Sequence, residues 1–105
     1  MATLPLSATE IVPVPDAALV RRMARRDSTA LVELQRRYSA SLYALVYGIL
    51  MDAERADRLV AEVFEQVWHA AELLSQRHRG AHSWLRQAAR ERALKDRATP
   101  ESRKL

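Results

Sequence analysis

The sequence predicts an all-α fold, a compact bundle of about four helices. Ala, Leu, Arg and Glu dominate the 105 residues, and only two glycines interrupt them. No segment alternates polar and apolar residues with the period of two that is typical of a strand. Instead, apolar residues recur at three- and four-residue spacing in several segments, as they do on amphipathic helices. A chain of this length forms one domain with a single modest core.

The first helix is expected to begin at Asp16. Residues 1–15 contain three prolines and no helical period, so they are interpreted as a flexible N-terminal arm. Asp16 is a good capping residue and precedes the amphipathic segment 16–26. The buried face of this helix is predicted to consist of Leu19, Val20 and Met23.

A long second helix follows a break at Asp27 and Ser28, which are expected to provide its N-cap. It is expected to end at about Met51. Its predicted inward residues are Leu31, Leu34, Tyr38, Leu42, Leu45, Val46, Ile49 and Leu50. Gly48 costs on the order of 1 kcal/mol relative to Ala inside a helix, and a close helix crossing is one explanation for it.

The third and fourth helices complete the domain, which is predicted to span 16–98. Asp52 caps the third helix, whose apolar stripe consists of Leu59, Val60, Val63, Phe64, Val67 and Trp68. The polar segment 75–80 ends this helix. The fourth helix is expected from about His82 or Ser83 to Arg97, and residues 99–105 are interpreted as a tail or the start of an interdomain linker.

Charge is distributed unevenly along the chain. Residues 1–76 contain eight Lys/Arg and ten Asp/Glu, for a net charge of −2, whereas residues 77–105 contain nine and three, for +6. The third helix is locally acidic, with six acids and two bases between Asp52 and Glu72. An acidic helix followed by a basic segment suggests two partners of different character, one of them a polyanion.

Several classes of function find no support in the residue types. The chain has no cysteine, which excludes a disulfide framework and thiolate metal sites. No Ser, His and Asp arrangement suggests a nucleophile, and phosphate-binding glycine loops are absent, so the chain is not expected to be an enzyme or to need a cofactor. A metal site formed by His69, His78 and His82 is disfavoured because Gly80 interrupts the spacing. There is no signal peptide or membrane-spanning segment, and a cytoplasmic location is expected.

A basic cluster at the start of the fourth helix is the most informative group. Its members are Arg77, His78, Arg79, His82, Arg86, Arg90 and Arg92. Such a surface binds phosphates through charge and counterion release, and a neighbouring pocket can hold an unstacked base. From the residues alone, an equally valid interpretation is a solvated basic helix with Trp84 in the core.

Several segments of the chain, and the order in which they occur, resemble region 2 of the extracytoplasmic-function (ECF) sigma factors of bacterial RNA polymerase. The segment DAALVRRMARRDSTALVELQRRYSASLYALVYGILMD resembles the opening of that domain. VAEVFEQVW resembles its polymerase-binding segment, and SWLRQAARERAL its last helix. The resemblance covers roughly 16–97, and its strength lies in the order and spacing of the motifs.

The resemblance implies a specificity subunit that binds core RNA polymerase and melts promoter DNA. The domain would dock on the clamp helices of the largest polymerase subunit through Arg58, Ala61, Glu62, Glu65 and Gln66. The basic cluster would bind the −10 element as a melted single strand, with one base flipped into a loop pocket. Anti-sigma proteins often cover this domain in the family, which makes such a protein a further candidate partner.

Three differences from the family pattern motivate alternatives. The family usually has an acid at the position of Arg58, a glutamine at that of Ala61 and commonly an asparagine at that of Glu91. A sigma-like domain that serves as a protein-interaction module without polymerase binding is therefore the main alternative. A basic domain that binds duplex DNA without sequence preference is another. The family's second domain, which reads the −35 element, is not among these residues.

Overall fold

The computed structural model describes residues 14–76 and 80–98, and within them the chain forms four α-helices and no strand. The helices are α1 (Asp16–Ala24), α2 (Ser28–Leu50), α3 (Ala53–Ser75) and α4 (Ala81–Ala98). The predicted all-α bundle of about four helices is confirmed. The division into arm, domain and tail stays a prediction, because nearly all of the arm and the whole tail lie outside the described residues. Arg77, His78 and Arg79 also lie outside the described residues, so their predicted role in DNA binding stays a prediction.

Helix α3 contacts each of the other three helices. Its apolar stripe is buried as predicted, with Val63 and Val67 fully inaccessible and Phe64 almost so. Alanines at α2, α3 and α4 positions in this core let the helices approach closely. The fully buried alanines are Ala30, Ala56, Ala71, Ala89 and Ala93. The indole rings of Trp68 and Trp84 pack against the core from its rim, half-buried.

Two of the three predicted helix caps are confirmed. The carboxylates of Asp27 and Asp52 accept hydrogen bonds from the backbone N–H groups of Thr29 and Arg55, each at 3.0 Å. The expected cap at Asp16 is wrong, because Pro15 occupies the N-cap position of α1. Asp16 already has helical backbone geometry, and its carboxylate faces α2 instead.

The connection between α1 and α2 is tied to α3 by one arginine. Arg26 has a left-handed backbone with φ of 67°. Its guanidinium lies 4.9 Å from the centre of the Trp68 ring and donates a 3.1 Å hydrogen bond to the Trp68 carbonyl. The left-handed conformation has an energetic cost for a residue other than glycine, and these two contacts favour it while they link the α1–α2 connection to α3.

The close helix crossing expected at Gly48 does not exist. Gly48 is exposed, and a β-carbon built there would meet no atom within 4 Å. Within the described ranges, no helix is both long and apolar enough to cross a membrane.

Replacing Gly48 with alanine is therefore expected to stabilise the domain. The substitution removes the conformational freedom of glycine without a steric clash, so the free energy of unfolding should rise by roughly 0.5–1 kcal/mol. Urea denaturation followed by circular dichroism measures this change. Ala44→Gly, one turn earlier on the same exposed side, should lower the free energy by a similar amount. A loss of stability in Gly48→Ala would contradict the open position.

Candidate functional site

The outer flank of α4 toward α2 carries two arginines that are available to a ligand. Arg86 and Arg90 are one turn apart and line an open groove of about 540 Å³ with Leu45, Ser83 and other residues. Both are exposed, and in the described ranges neither forms an ion pair. The groove therefore presents two positive charges that form no ion pair with a described acid. Such an edge is suited to phosphate groups.

Glu91 lies on the same groove, but its carboxylate is occupied locally. It accepts a 3.0 Å hydrogen bond from the side-chain amide of Gln87. This acid reduces the positive potential of the groove without pairing with an arginine. A phosphate bound at Arg86 and Arg90 would lie beside this carboxylate, and the two negative groups would repel each other.

Arg92 belongs to a different flank of α4. Its guanidinium faces α3 and donates hydrogen bonds to the carboxylate of Glu62 at 2.6 Å and to the amide oxygen of Gln66 at 3.3 Å. Arg90 and Arg92 are two residues apart, which places them about 200° apart around an α-helix. The sequence grouping of Arg92 with Arg86 and Arg90 thus joined residues from two flanks. The two-residue spacing of Arg90 and Arg92 in the sequence already indicates that they lie on different flanks.

The contact of Arg92 with Glu62 joins the two surfaces predicted from the sequence. Glu62 and Gln66 belong to the predicted polymerase-binding set, and Arg92 belongs to the predicted DNA-binding set. The two charged side chains are 45% and 42% exposed, so their ion pair lies at the surface and stabilises by at most about 1 kcal/mol. A second ion pair, Arg55–Asp96 at 2.6 Å, closes the same seam nearer the end of α4.

The predicted polymerase-binding residues form a band on the outer side of α3. Arg58 and Glu65 are exposed, and neither has an ion-pair partner in the described part of the chain. Ala61 faces α2 and lines an open groove of about 510 Å³ with Tyr43 and other residues. Glu62 faces α4. The set is therefore a band that extends from the α2 groove to the α4 seam.

His82 lies at the N-terminal end of α4, next to α2, and is one of the residues predicted to contact DNA. Its imidazole stacks on the ring of Tyr38, with centroids 4.7 Å apart and an angle of 11° between the planes. The hydroxyl of Tyr38 donates a hydrogen bond to Asp16, whose other oxygen accepts one from Arg37 at 2.8 Å. This link between α1, α2 and α4 is not predictable from the sequence, because the residues are far apart in the chain.

Partial burial and the neighbouring Asp16 carboxylate raise the pKa of Tyr38 to about 12. Hydrogen bonds from Arg36 and Arg37 hold the pKa of Glu33 below its usual value. Arg37 thus bridges two acids, Glu33 and Asp16, and fixes the surroundings of Tyr38.

The described residues provide no metal centre. Among residues 14–76 and 80–98, no three His, Cys, Asp or Glu side chains are grouped closely enough to hold an ion. The disfavoured site with His69, His78 and His82 includes His78, which lies outside those ranges.

A four-helix domain with an acidic helix beside a basic flank has the character of a helical binding domain. Comparison with protein families identifies it further: residues 34–103 match the family described as Sigma-70 region 2. The match covers well over half of the 105 residues, and the chain belongs to this family. Comparisons with curated proteins and with solved structures give no significant match.

Membership confirms the resemblance to a sigma-factor region 2 domain that the motifs indicated. The family is a non-catalytic domain of transcription initiation, which interacts in general with core RNA polymerase and promoter DNA. The expectation that the chain is not an enzyme agrees with this membership.

Alkaline titration is expected to reveal the Tyr38–Asp16 hydrogen bond. The raised pKa favours the neutral phenol in the folded state, so the resulting stabilisation is complete below pH 10 and is lost as the pH rises through about 12. Tyr38→Phe lacks the hydroxyl and should be less stable than the wild type at neutral pH. The difference in free energy of unfolding, measured by urea denaturation, should shrink between pH 10 and 12. A difference that is constant across this range would contradict the assignment.

Proposed function

We propose that the chain is the region 2 domain of an alternative, ECF-type sigma factor, which binds core RNA polymerase and the −10 promoter element as a melted single strand. The observation that carries this proposal is the Sigma-70 region 2 match over residues 34–103. The charge of the described surfaces supports it, since an acidic helix and an unpaired basic groove suit a protein and a nucleic acid. Because polymerase and promoters occupy the bacterial cytoplasm, the proposal places the chain there.

On the DNA side, Arg86 and Arg90 are proposed as the main phosphate contacts. Both guanidinium groups are exposed and unpaired within the described ranges, so binding a phosphate breaks no existing ion pair. Each phosphate that they neutralise releases counterions, which favours binding at low salt. Arg92 is proposed to contribute less, because its guanidinium already contacts Glu62 and Gln66.

The remaining members of the basic cluster complete the proposed DNA surface. In the sequence, Arg77, His78 and Arg79 come between α3 and α4, three to five residues before His82. They are proposed to surround the flipped base. Flipping costs a few kcal/mol of unstacking, which is smallest for a strand that is already open.

On the polymerase side, the band across α3 is proposed to dock on the clamp helices. Glu65 and Arg58 offer unpaired charges at its centre. Ala61 leaves the groove toward α2 open, so an approaching helix has space for a side chain there. A glutamine, which the family usually has at this position, is a longer side chain and would take up part of this space. The alternative of an interaction module without polymerase binding is not favoured by the family match.

The DNA assignment is tested with the double variant Arg86→Ala/Arg90→Ala. Its affinity for single-stranded −10 DNA should fall steeply at low salt, because two phosphate contacts are lost. The slope of log K against log salt should become less negative by about 1.4. Fluorescence anisotropy over a series of salt concentrations measures both quantities.

The matched control for this test is Arg21→Ala/Arg25→Ala. These arginines are also one turn apart, exposed and without a described ion pair, but they lie on α1. The control loses the same net charge and should change the affinity and slope much less. If the two double variants behave alike, the DNA surface has been assigned to the wrong helix.

Polymerase docking is tested by binding to a fragment that contains the clamp helices. Glu65→Lys should weaken binding by roughly tenfold or more, because like charges facing each other at an interface cost several kcal/mol. Glu72→Lys, an exposed position two turns further along α3, makes the same charge change outside the proposed band. It should bind nearly as the wild type does. Equal binding by all three proteins, or no binding by the wild type, would refute this part of the proposal.

A further inference from the structure

We propose that the imidazole of His82, supported by Tyr38, is a stacking site for one unpaired nucleobase. This inference rests on the proposed function, since it names the side chain that holds a base of the single strand. It differs from the charge-based role that the sequence suggests for His82. The ligand is a purine or pyrimidine ring, recognised by its flat face rather than by its hydrogen-bonding edge.

The geometry of the two rings carries the inference. They are almost parallel, at 11°, with centroids 4.7 Å apart, so Tyr38 covers one face of the imidazole. His82 is nevertheless exposed, whereas Tyr38 is half-buried. A base placed on the outer side of His82 would extend an existing stack from two rings to three. Stacked aromatic rings of this kind favour offset parallel contacts, which every base can provide.

The supporting ring is held in place before any ligand arrives. The Tyr38 hydroxyl donates a hydrogen bond to Asp16 of α1, and Arg37 binds the same carboxylate at 2.8 Å. Arg37 also donates a 3.0 Å hydrogen bond to Glu33, one turn earlier on α2. A platform whose conformation is fixed by its neighbours loses little conformational entropy when a ligand binds.

The position of the stack relative to the basic groove is appropriate for a nucleotide. Ser83, the next residue after His82, and Arg86, one turn further, both line that groove. One helical turn corresponds to a rise of about 6 Å over four residues. A strand with a phosphate at Arg86 would therefore bring an adjoining base within reach of the His82 ring.

No other aromatic ring among the described residues combines an exposed face, a supporting ring behind it and a position beside the basic groove. Trp68 has Arg26 over its ring. Tyr43 and Tyr47 stack on each other at 6.0 Å, but Tyr43 lines the groove between α2 and α3 rather than the basic groove. Trp84 is half-buried and packs against the core.

The test compares His82→Ala, His82→Phe and the wild type in binding to fluorescein-labelled single-stranded DNA. A second probe has the same backbone with abasic sugars in place of the nucleosides. Alanine should weaken binding of the normal strand by roughly 5- to 150-fold, which corresponds to the range measured for base–aromatic stacking. Phenylalanine retains a flat ring and should bind like the wild type. On the abasic strand, where no base can stack, the three proteins should bind alike.

His69→Ala is the matched control, since His69 is an exposed histidine on α3 that stacks on no aromatic ring of residues 14–76 and 80–98. It should bind both strands as the wild type does. Circular dichroism establishes that each variant is folded.

Three outcomes overturn the inference and are distinguishable. If the wild type binds single-stranded DNA but His82→Ala binds equally well, the stacking site is wrong and the proposed function stands. If His82→Phe is as weak as His82→Ala, the imidazole acts through its nitrogen atoms rather than its ring face. If the wild type binds neither strand, the DNA-binding part of the proposed function fails, and the inference fails with it.

Discussion

The burial of one side of α3 against all three other helices is the constraint on which the structure depends. Val63, Phe64 and Val67 have almost no accessible surface, and α1, α2 and α4 each pack against this helix. Once that apolar stripe is enclosed, the charged residues of α3 can only face outward or toward its flanks. Burial of apolar surface is the dominant favourable contribution to folding. The burial of this stripe therefore determines where the band of predicted polymerase-binding residues lies on α3 and why it reaches α4.

The same packing makes the acidic and basic surfaces neighbours rather than opposites. Arg92 and Arg55 cross the seam between α3 and α4 in opposite directions, each pairing with an acid of the other helix. The contact with Glu62 removes Arg92 from the free cations of the basic segment. The unpaired charge that remains in the groove is smaller than the charge count of the basic segment, and it is confined to Arg86 and Arg90. The proposed function depends most on such unpaired groups, since they can bind a partner without losing an existing ion pair.

Some features depart from local preference without any gain that the fold explains. Gly48 lies in open space where alanine would be more stable, and Met51 has a left-handed backbone with φ of 54° where glycine is usual. Met51 is also 70% exposed. Nothing in the packing of the described residues accounts for the choice of Met at this helix end.

The sequence by itself determined the four helices, the caps at Asp27 and Asp52 and the apolar stripe of α3, because these depend on periodicity and on residues a few positions apart. It also indicated the family, since the order of motifs is a property of the chain. Only the tertiary structure decided that Asp16 binds Tyr38, that His82 stacks on the same ring and that Arg92 contacts Glu62. These partners are 22, 44 and 30 positions apart. Helical periodicity specifies which side of a helix is apolar, but the rotation and offset of packed helices determine which polar side chains meet.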